Sequence, residues 1–153
     1  MHSTKLQEQV RQLLNENDPD RLSLFINELC KQYRNNLDDL VDFLILLIDQ
    51  NLYDGSKWSS IAFYINDYFK QHKLAERILS RLVEAEPENA AYLNNMGVIL
   101  TSQKFYGSAI LYYAKAYAID YYHRGIFSET ENLPAYKNMY NLCAHIDKRK
   151  IFL

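Results

Sequence analysis

The chain has 153 residues, of which 48% are hydrophobic and 24% charged, values that fit one folded domain with a substantial core. Only four glycines and three prolines are present, which argues against a turn-rich all-β chain and favours long helices joined by short loops. The net charge of −2 gives no overall electrostatic attraction to nucleic acid.

Apolar residues recur every three to four positions along the whole chain, which predicts helices throughout. DPD (Asp18–Asp20) predicts a helix N-cap followed by proline in the first turn. YDGS (Tyr53–Ser56) predicts a turn, and prolines in EPEN (Glu86–Asn89) and NLPA (Asn132–Ala135) separate neighbouring helices. The predicted helices are 3–16, 20–34, 37–51, 56–71, 73–86, 89–103, 106–122 and 133–149.

The links between these helices are short, so neighbouring helices are expected to pack antiparallel. The longer link Tyr121–Asn132 is either an extension of the preceding helix or an ordered surface loop. The third helix, LDDLVDFLILLIDQ, is apolar around most of its circumference and is expected to lie centrally between others. No linker-like segment appears, so we expect one domain over 1–153.

Cellular location is indicated by the cysteines and the apolar runs. Cys30 and Cys143 lie far apart among apolar residues, which predicts buried free thiols, as in a reducing cytoplasm, rather than a disulfide. The charged, amphipathic start of the chain does not resemble a signal peptide, and the run Phe43–Ile48 is too short to span a bilayer. We expect a cytoplasmic protein with no membrane partner.

A repeated pattern of large and small residues identifies the architecture. One first helix carries Trp58, Ile61, Ala62 and Ile65; the next carries Leu93, Met96, Gly97 and Leu100, each 35 residues further on. Their second helices carry Ala75, Leu79 and Leu82, and then Ala109, Tyr113 and Ala116. Small residues let paired helices approach closely, and Tyr113 is expected to fill the space between Ala109 and Ala116.

This pattern resembles the tetratricopeptide repeat. The resemblance implies an all-α, right-handed stack of antiparallel hairpins with seven or eight helices. Two repeats cover 55–122, residues 1–54 form degenerate hairpins, and 123–153 form a loop and a partial third repeat. That third repeat begins with Tyr136, Met139, Tyr140 and Cys143, where Tyr140 stands in place of the small residue. Tyr121 also departs from the pattern, since proline is expected there, and the first of the two clear repeats has one extra residue in its turn.

A stack of hairpins exposes a concave face formed mainly by its first helices. The resemblance implies that this groove binds a protein or peptide; we expect no cofactor and no enzymatic activity. An adaptor or chaperone-like role is expected; a type III secretion-type chaperone or a toxin-neutralising immunity protein is the alternative. The predicted groove residues are Ser59, Phe63, Asn66, Asp67, Asn94, Val98, Thr101, Lys137 and Asn141. The carboxylate clamp of chaperone cofactors is disfavoured, because Ser59 and Phe63 occupy places where it needs lysine and asparagine.

Thirteen tyrosines form the second clue to function. Tyrosine combines rigid contact area with a polar tip and is enriched at interfaces. We predict either a partner or self-association surface, or amphipathic packing against the final helix. The residues of this predicted surface are Tyr112, Tyr117, Tyr121 and Tyr122.

Catalytic and metal motifs are missing from the sequence: it contains no HExxH, GxSxG or P-loop pattern. The only basic run, Lys148–Lys150, suits a helix C-terminus as well as a phosphate backbone. Nucleic-acid binding and catalysis are therefore both disfavoured.

Charge is unevenly distributed along the chain, with ten acidic residues against five basic ones through Asp54 and nine against twelve afterwards. Such a distribution is more typical of solvated helix faces than of an electrostatic field that steers a partner.

Overall fold

The computed structural model describes residues 4–50, 55–124 and 134–150, and every regular element in these ranges is a helix. The helices are α1 (Thr4–Asn15), α2 (Pro19–Gln32), α3 (Leu37–Gln50), α4 (Gly55–Asp67), α5 (His72–Ala85), α6 (Ala90–Ser102), α7 (Tyr106–Arg124) and α8 (Pro134–Lys150). This confirms the all-α prediction and most of the predicted boundaries. The chain divides into two compact units, Met1–Ala85 and Glu86–Leu153.

Local capping explains where several helices begin. Asp18 is the N-cap of α2, where its side chain accepts a hydrogen bond from the Arg21 amide at 3.1 Å. Asn89 caps α6 in the same way through the Tyr92 amide at 3.2 Å. Asp18 directly precedes Pro19, as the DPD pattern predicted, and Asn89 lies two residues after Pro87.

The turn predicted at Tyr53–Ser56 is wrong in its second half, because Gly55 and Ser56 already belong to α4; Tyr53 and Asp54 lie outside the described residues. The helix predicted to reach residue 71 ends at Asp67. Lys70 there has a left-handed backbone with a φ of 56°, and the Gln71 amide donates to the Ile65 carbonyl at 3.0 Å. This bond closes the helix end.

The first unit, α1 to α5, consists of hairpins packed side by side. Helix α4 packs against α5, α2 packs against α4, and α3 packs against α5. First helices therefore lie beside first helices and second beside second, an arrangement consistent with a helical repeat. The repeat positions Trp58, Ile61, Ala62 and Ile65 are all buried, together with Ala75, Leu79 and Leu82.

Helix α3 is less enclosed than its composition indicates. Its buried residues are Leu40, Val41, Phe43, Leu44, Leu47 and Ile48, but Leu46 remains 47% exposed. Helix α3 packs against both α5 and α2, as expected of a helix that lies between others, but these partners leave part of its circumference uncovered. Arg81 of α5 also reaches the α3 carboxylate of Asp49 at 2.6 Å.

The second unit is built on the pair α6 and α7, with α8 packed on α7 and more lightly on α6. The repeat residues Leu93, Met96, Gly97, Leu100, Ala109, Tyr113 and Ala116 are buried, as predicted. The extra turn residue is also confirmed: four residues separate α4 from α5, but three separate α6 from α7. Helix α7 continues through Arg124, so the first part of the long link is a helical extension.

Candidate protein-binding surfaces

The neighbouring first helices α2 and α4 share an exposed surface in the first unit. We call it the first-helix face; it consists of Asp20, Phe63, Tyr64, Asp67 and Tyr68. Tyr64 is half-buried and the other four are exposed. The Tyr64 hydroxyl donates a hydrogen bond to the Asp20 carboxylate, which joins the two helices. This bond, and then the negative charge of Asp20, raise the pKa of Tyr64.

Two of the predicted groove residues do not lie on this face. Ser59 is 5% exposed and Asn66 only 1% exposed, so both belong to the packed side of α4 and their predicted exposure is wrong. The Asn66 Oδ1 lies 2.7 Å from His72 Nδ1, across the turn that joins α4 to α5. A short amide side chain at a helix end has local partners of this kind, which allows its burial. Phe63 and Asp67 are exposed, as predicted.

Two of the predicted groove residues of the second unit, Asn94 and Thr101, are hydrogen-bonded within that unit. Asn138 donates its amide hydrogen to Asn94 Oδ1 at 2.9 Å, which ties α8 to α6. Thr101 donates its hydroxyl to the Gly97 carbonyl at 2.8 Å and lies 3.3 Å from the Tyr113 hydroxyl. Burial raises the pKa of Tyr113, and the contact with Thr101 opposes this in smaller part. Val98 is half-buried.

The side of helix α8 that packs against the rest of its unit is not the side that was predicted. Its buried residues are Ala135 and Leu142, whereas Tyr140 is 64% exposed and Cys143 is exposed. The predicted third repeat is therefore out of register, and Cys143 is not a buried thiol. The two cysteines are free, and Cys30 is buried as expected. Lys137 and Asn141 lie on the exposed side of α8.

The tyrosine cluster spans the α7–α8 interface. The Tyr117 ring lies 5.9 Å from Tyr121 and 5.6 Å from Tyr136, and the Tyr136 ring stacks on Tyr140 at 6.4 Å. Packing against the final helix is thus shown for Tyr117. Tyr112 is half-buried, and Tyr122 remains 84% exposed with its ring against His123.

A groove between α1 and α2 was not predicted from the sequence. Its volume is about 400 Å³, with Leu13, Leu24 and Phe25 among its lining residues. The charged residues at its margin are already paired, because Arg21 lies 2.5 Å from Glu16 and Lys31 lies 2.7 Å from Glu28. The sequence signal for this groove was the presence of the apolar residues Leu24 and Phe25 on α2, outside the set of residues that α2 buries. Helix α1 itself buries only Val10 and Leu14.

In the part of the chain that the structure describes, no group of three or more His, Cys, Asp or Glu side chains is arranged to hold a metal ion. Within the same residues, none of the helices combines the length and apolarity that a membrane crossing needs.

Comparison with known proteins does not assign the architecture, which is therefore inferred from the residues of this chain. The chain matches no protein-family model, and the curated proteins searched contain no match to it. The resemblance to the tetratricopeptide repeat therefore rests on the spacing of large and small residues described above. The burial of these residues shows that the spacing describes helix packing, and the family assignment stays a prediction.

Proposed function

We propose that the chain is a protein–protein interaction module that binds a peptide or protein through the exposed surface of its first helices, as an adaptor or chaperone-like protein of the cytoplasm. The proposal follows the resemblance to the tetratricopeptide repeat, a family in which the concave surface of a hairpin stack holds a partner segment. It involves no cofactor and no chemical step.

One observation carries the proposal: α2 packs on α4 while α3 packs on α5. This order leaves the outward sides of two first helices next to each other as a single surface. Hairpin repeats use such a continuous, extended surface for binding.

The composition of the first-helix face also supports a binding role. Phe63 is 36% exposed and Tyr68 is 66% exposed, so aromatic area remains in contact with solvent. Aromatic residues are enriched among the residues that dominate binding energy at interfaces. Asp20 and Asp67 are exposed on the same face and provide polar contacts beside this aromatic area.

A matched pair of double variants tests the proposal. Phe63→Ala with Asp67→Ala alters the first-helix face, and Leu46→Ala with Asp42→Ala makes similar changes on the exposed side of the second helix α3. Tagged full-length chain is used for affinity purification from cells of the source organism, with partners identified by mass spectrometry. We expect the first double variant to lose the specific partner and the second to retain it, while both keep the wild-type circular dichroism spectrum.

Equal retention of every partner by both double variants would exclude the first-helix face as the binding surface. Loss from the α3 variant alone would place the interaction on the second helices instead.

A further inference from the structure

Three aromatic rings form a row along α4. The Phe63 and Tyr64 rings meet edge to face with centroids 6.3 Å apart, and the Tyr64 and Tyr68 rings stack with centroids 5.3 Å apart. Tyr68 and Phe63 are exposed at the two ends of this row. The faces of aromatic rings carry negative electrostatic potential, which attracts cations.

Carboxylates lie beside the same rings. Asp20 accepts the hydrogen bond of the Tyr64 hydroxyl, and Asp18 is near enough for its charge to act on that hydroxyl. Asp67 lies one helical turn from Phe63 and is exposed. An ionised carboxylate accepts several hydrogen bonds, so Asp20 keeps acceptor capacity after it has bound Tyr64.

Three cations on or next to α2 and α4 have other contacts. Arg21 pairs with Glu16 at 2.5 Å, and the Lys57 ammonium donates to the Leu14 carbonyl at 2.8 Å. The Lys70 ammonium donates to the main-chain carbonyl of Asp67 at 2.6 Å. Over Met1–Ala85 the sequence carries thirteen Asp and Glu against ten Lys and Arg, a net charge of −3. The aromatic row and the Asp20 carboxylate beside it therefore both favour a positively charged group of a partner.

We propose that Phe63, Tyr64 and Tyr68, together with Asp20, form a site for the guanidinium group of an arginine in a basic segment of the protein partner. Guanidinium stacks on aromatic rings and forms paired hydrogen bonds with a carboxylate, and this site offers both kinds of group side by side. The inference rests on the proposed peptide-binding function and gives the chemistry of the partner.

The test uses the full chain and a rhodamine-labelled nona-arginine peptide, with binding followed by fluorescence anisotropy at two salt concentrations. Tyr68→Ala removes one exposed ring, and Asp20→Asn removes one charge. We expect each to weaken binding about twofold to fivefold, the range for an exposed cation–aromatic contact or an exposed ion pair. Tyr68→Phe keeps the ring and should retain wild-type affinity.

Two control variants separate this site from general attraction. Asp42→Asn removes the same charge from an exposed position on α3, and Tyr122→Ala removes an exposed ring from the second unit; neither should change the affinity. If wild-type protein does not bind the peptide, or if Asp42→Asn weakens binding as much as Asp20→Asn does, the proposal is overturned. A partner found by affinity purification that depends on Phe63 and Asp67 would then still support the proposed function, because that result does not require a basic segment.

Discussion

The ring of Tyr113 occupies the space where Gly97 lacks a side chain. A Cβ atom built on Gly97 would lie 2.5 Å from Tyr113 Cδ1 and 2.8 Å from Tyr113 Cζ, well inside van der Waals contact. The glycine of α6 and the tyrosine of α7 are therefore complementary, which accounts for a residue that costs about 1 kcal/mol relative to alanine in a helix. Both residues are buried, so the ring has little room to move.

We predict that Gly97→Ala destabilises the protein although alanine is the better helix former. Overpacking of a buried site costs about 1–3 kcal/mol, which exceeds the gain in helix propensity. Gly107→Ala is the matched control, because a Cβ atom there meets nothing within 4 Å; it should leave stability unchanged or raise it by up to about 1 kcal/mol. Urea unfolding at pH 7 measures both. A Gly97→Ala protein as stable as wild type would contradict the close contact with Tyr113.

The repeat residues could be predicted from the sequence because their burial depends on local periodicity. Trp58 and Ala62 lie about one turn apart, so the 3.6-residue helical period places them on the same side of α4. Gly97 occupies the position on α6 that is equivalent to Ala62. A long-range pair such as Asn94 and Asn138, 44 residues apart, leaves no comparable trace in one sequence. Ser59 and Asn66 occupy positions that the core pattern of the repeat leaves free, which predicts exposure, but local partners permit their burial.

The register of α8 could not be predicted for a different reason. The sequence pattern of a first helix predicts buried positions at Tyr136 and Tyr140, yet Ala135 and Leu142 are the buried residues. Tyrosine is compatible with either a buried or an exposed position, because its ring is apolar and its hydroxyl is polar. A helix with two tyrosines and one methionine in the five positions 136–140 therefore allows two registers, and only the packing against α7 distinguishes them.

The hydrogen bond between Asn138 and Asn94 should stabilise the second unit by fastening α8 to α6. We predict that Asn138→Ala lowers the free energy of unfolding by about 1 kcal/mol, since a typical hydrogen bond contributes about 0.5–1.5 kcal/mol. Asn141→Ala, on the exposed side of the same helix, is the control and should change stability by less than about 0.5 kcal/mol. A double-mutant cycle with Asn94→Ala isolates the pair, and additive single effects would show that the two side chains do not interact.

Lys104 has a left-handed backbone with a φ of 65°, in the turn that joins α6 to α7. The Phe105 amide donates to the Leu100 carbonyl at 2.9 Å, so this conformation ends α6. Glycine adopts it without steric cost, and we predict that Lys104→Gly stabilises the protein by about 0.5–1 kcal/mol. Lys115→Gly, at an exposed position inside α7, should instead destabilise by about 1 kcal/mol. Thermal unfolding compares them, and the same sign of change in both variants would disprove the role of the turn.

The two free thiols should differ in access to reagents. Cys30 is buried, with 3% of its surface exposed, whereas Cys143 is exposed on α8. We expect one thiol to react with Ellman's reagent in the native protein at pH 8 and both to react in denaturant, because the reagent must reach the sulfur atom. Cys143→Ala should remove the fast native reaction. Fast reaction that persists in this variant would show that Cys30 is accessible.

Burial raises the pKa of Cys30 from its ordinary value of 9.0 to about 11, against a smaller opposing effect of a backbone hydrogen bond. Because the folded pKa is the higher one, this thiol stabilises the fold fully below pH 9, and the contribution is lost as pH rises toward 11. The loss approaches about 1.4 kcal/mol per pH unit for one proton. Urea unfolding between pH 8 and pH 10 should therefore show a smaller decline for Cys30→Ala than for wild type, with Cys143→Ala behaving like wild type. Parallel declines in Cys30→Ala and wild type would show that another group causes the alkaline loss of stability.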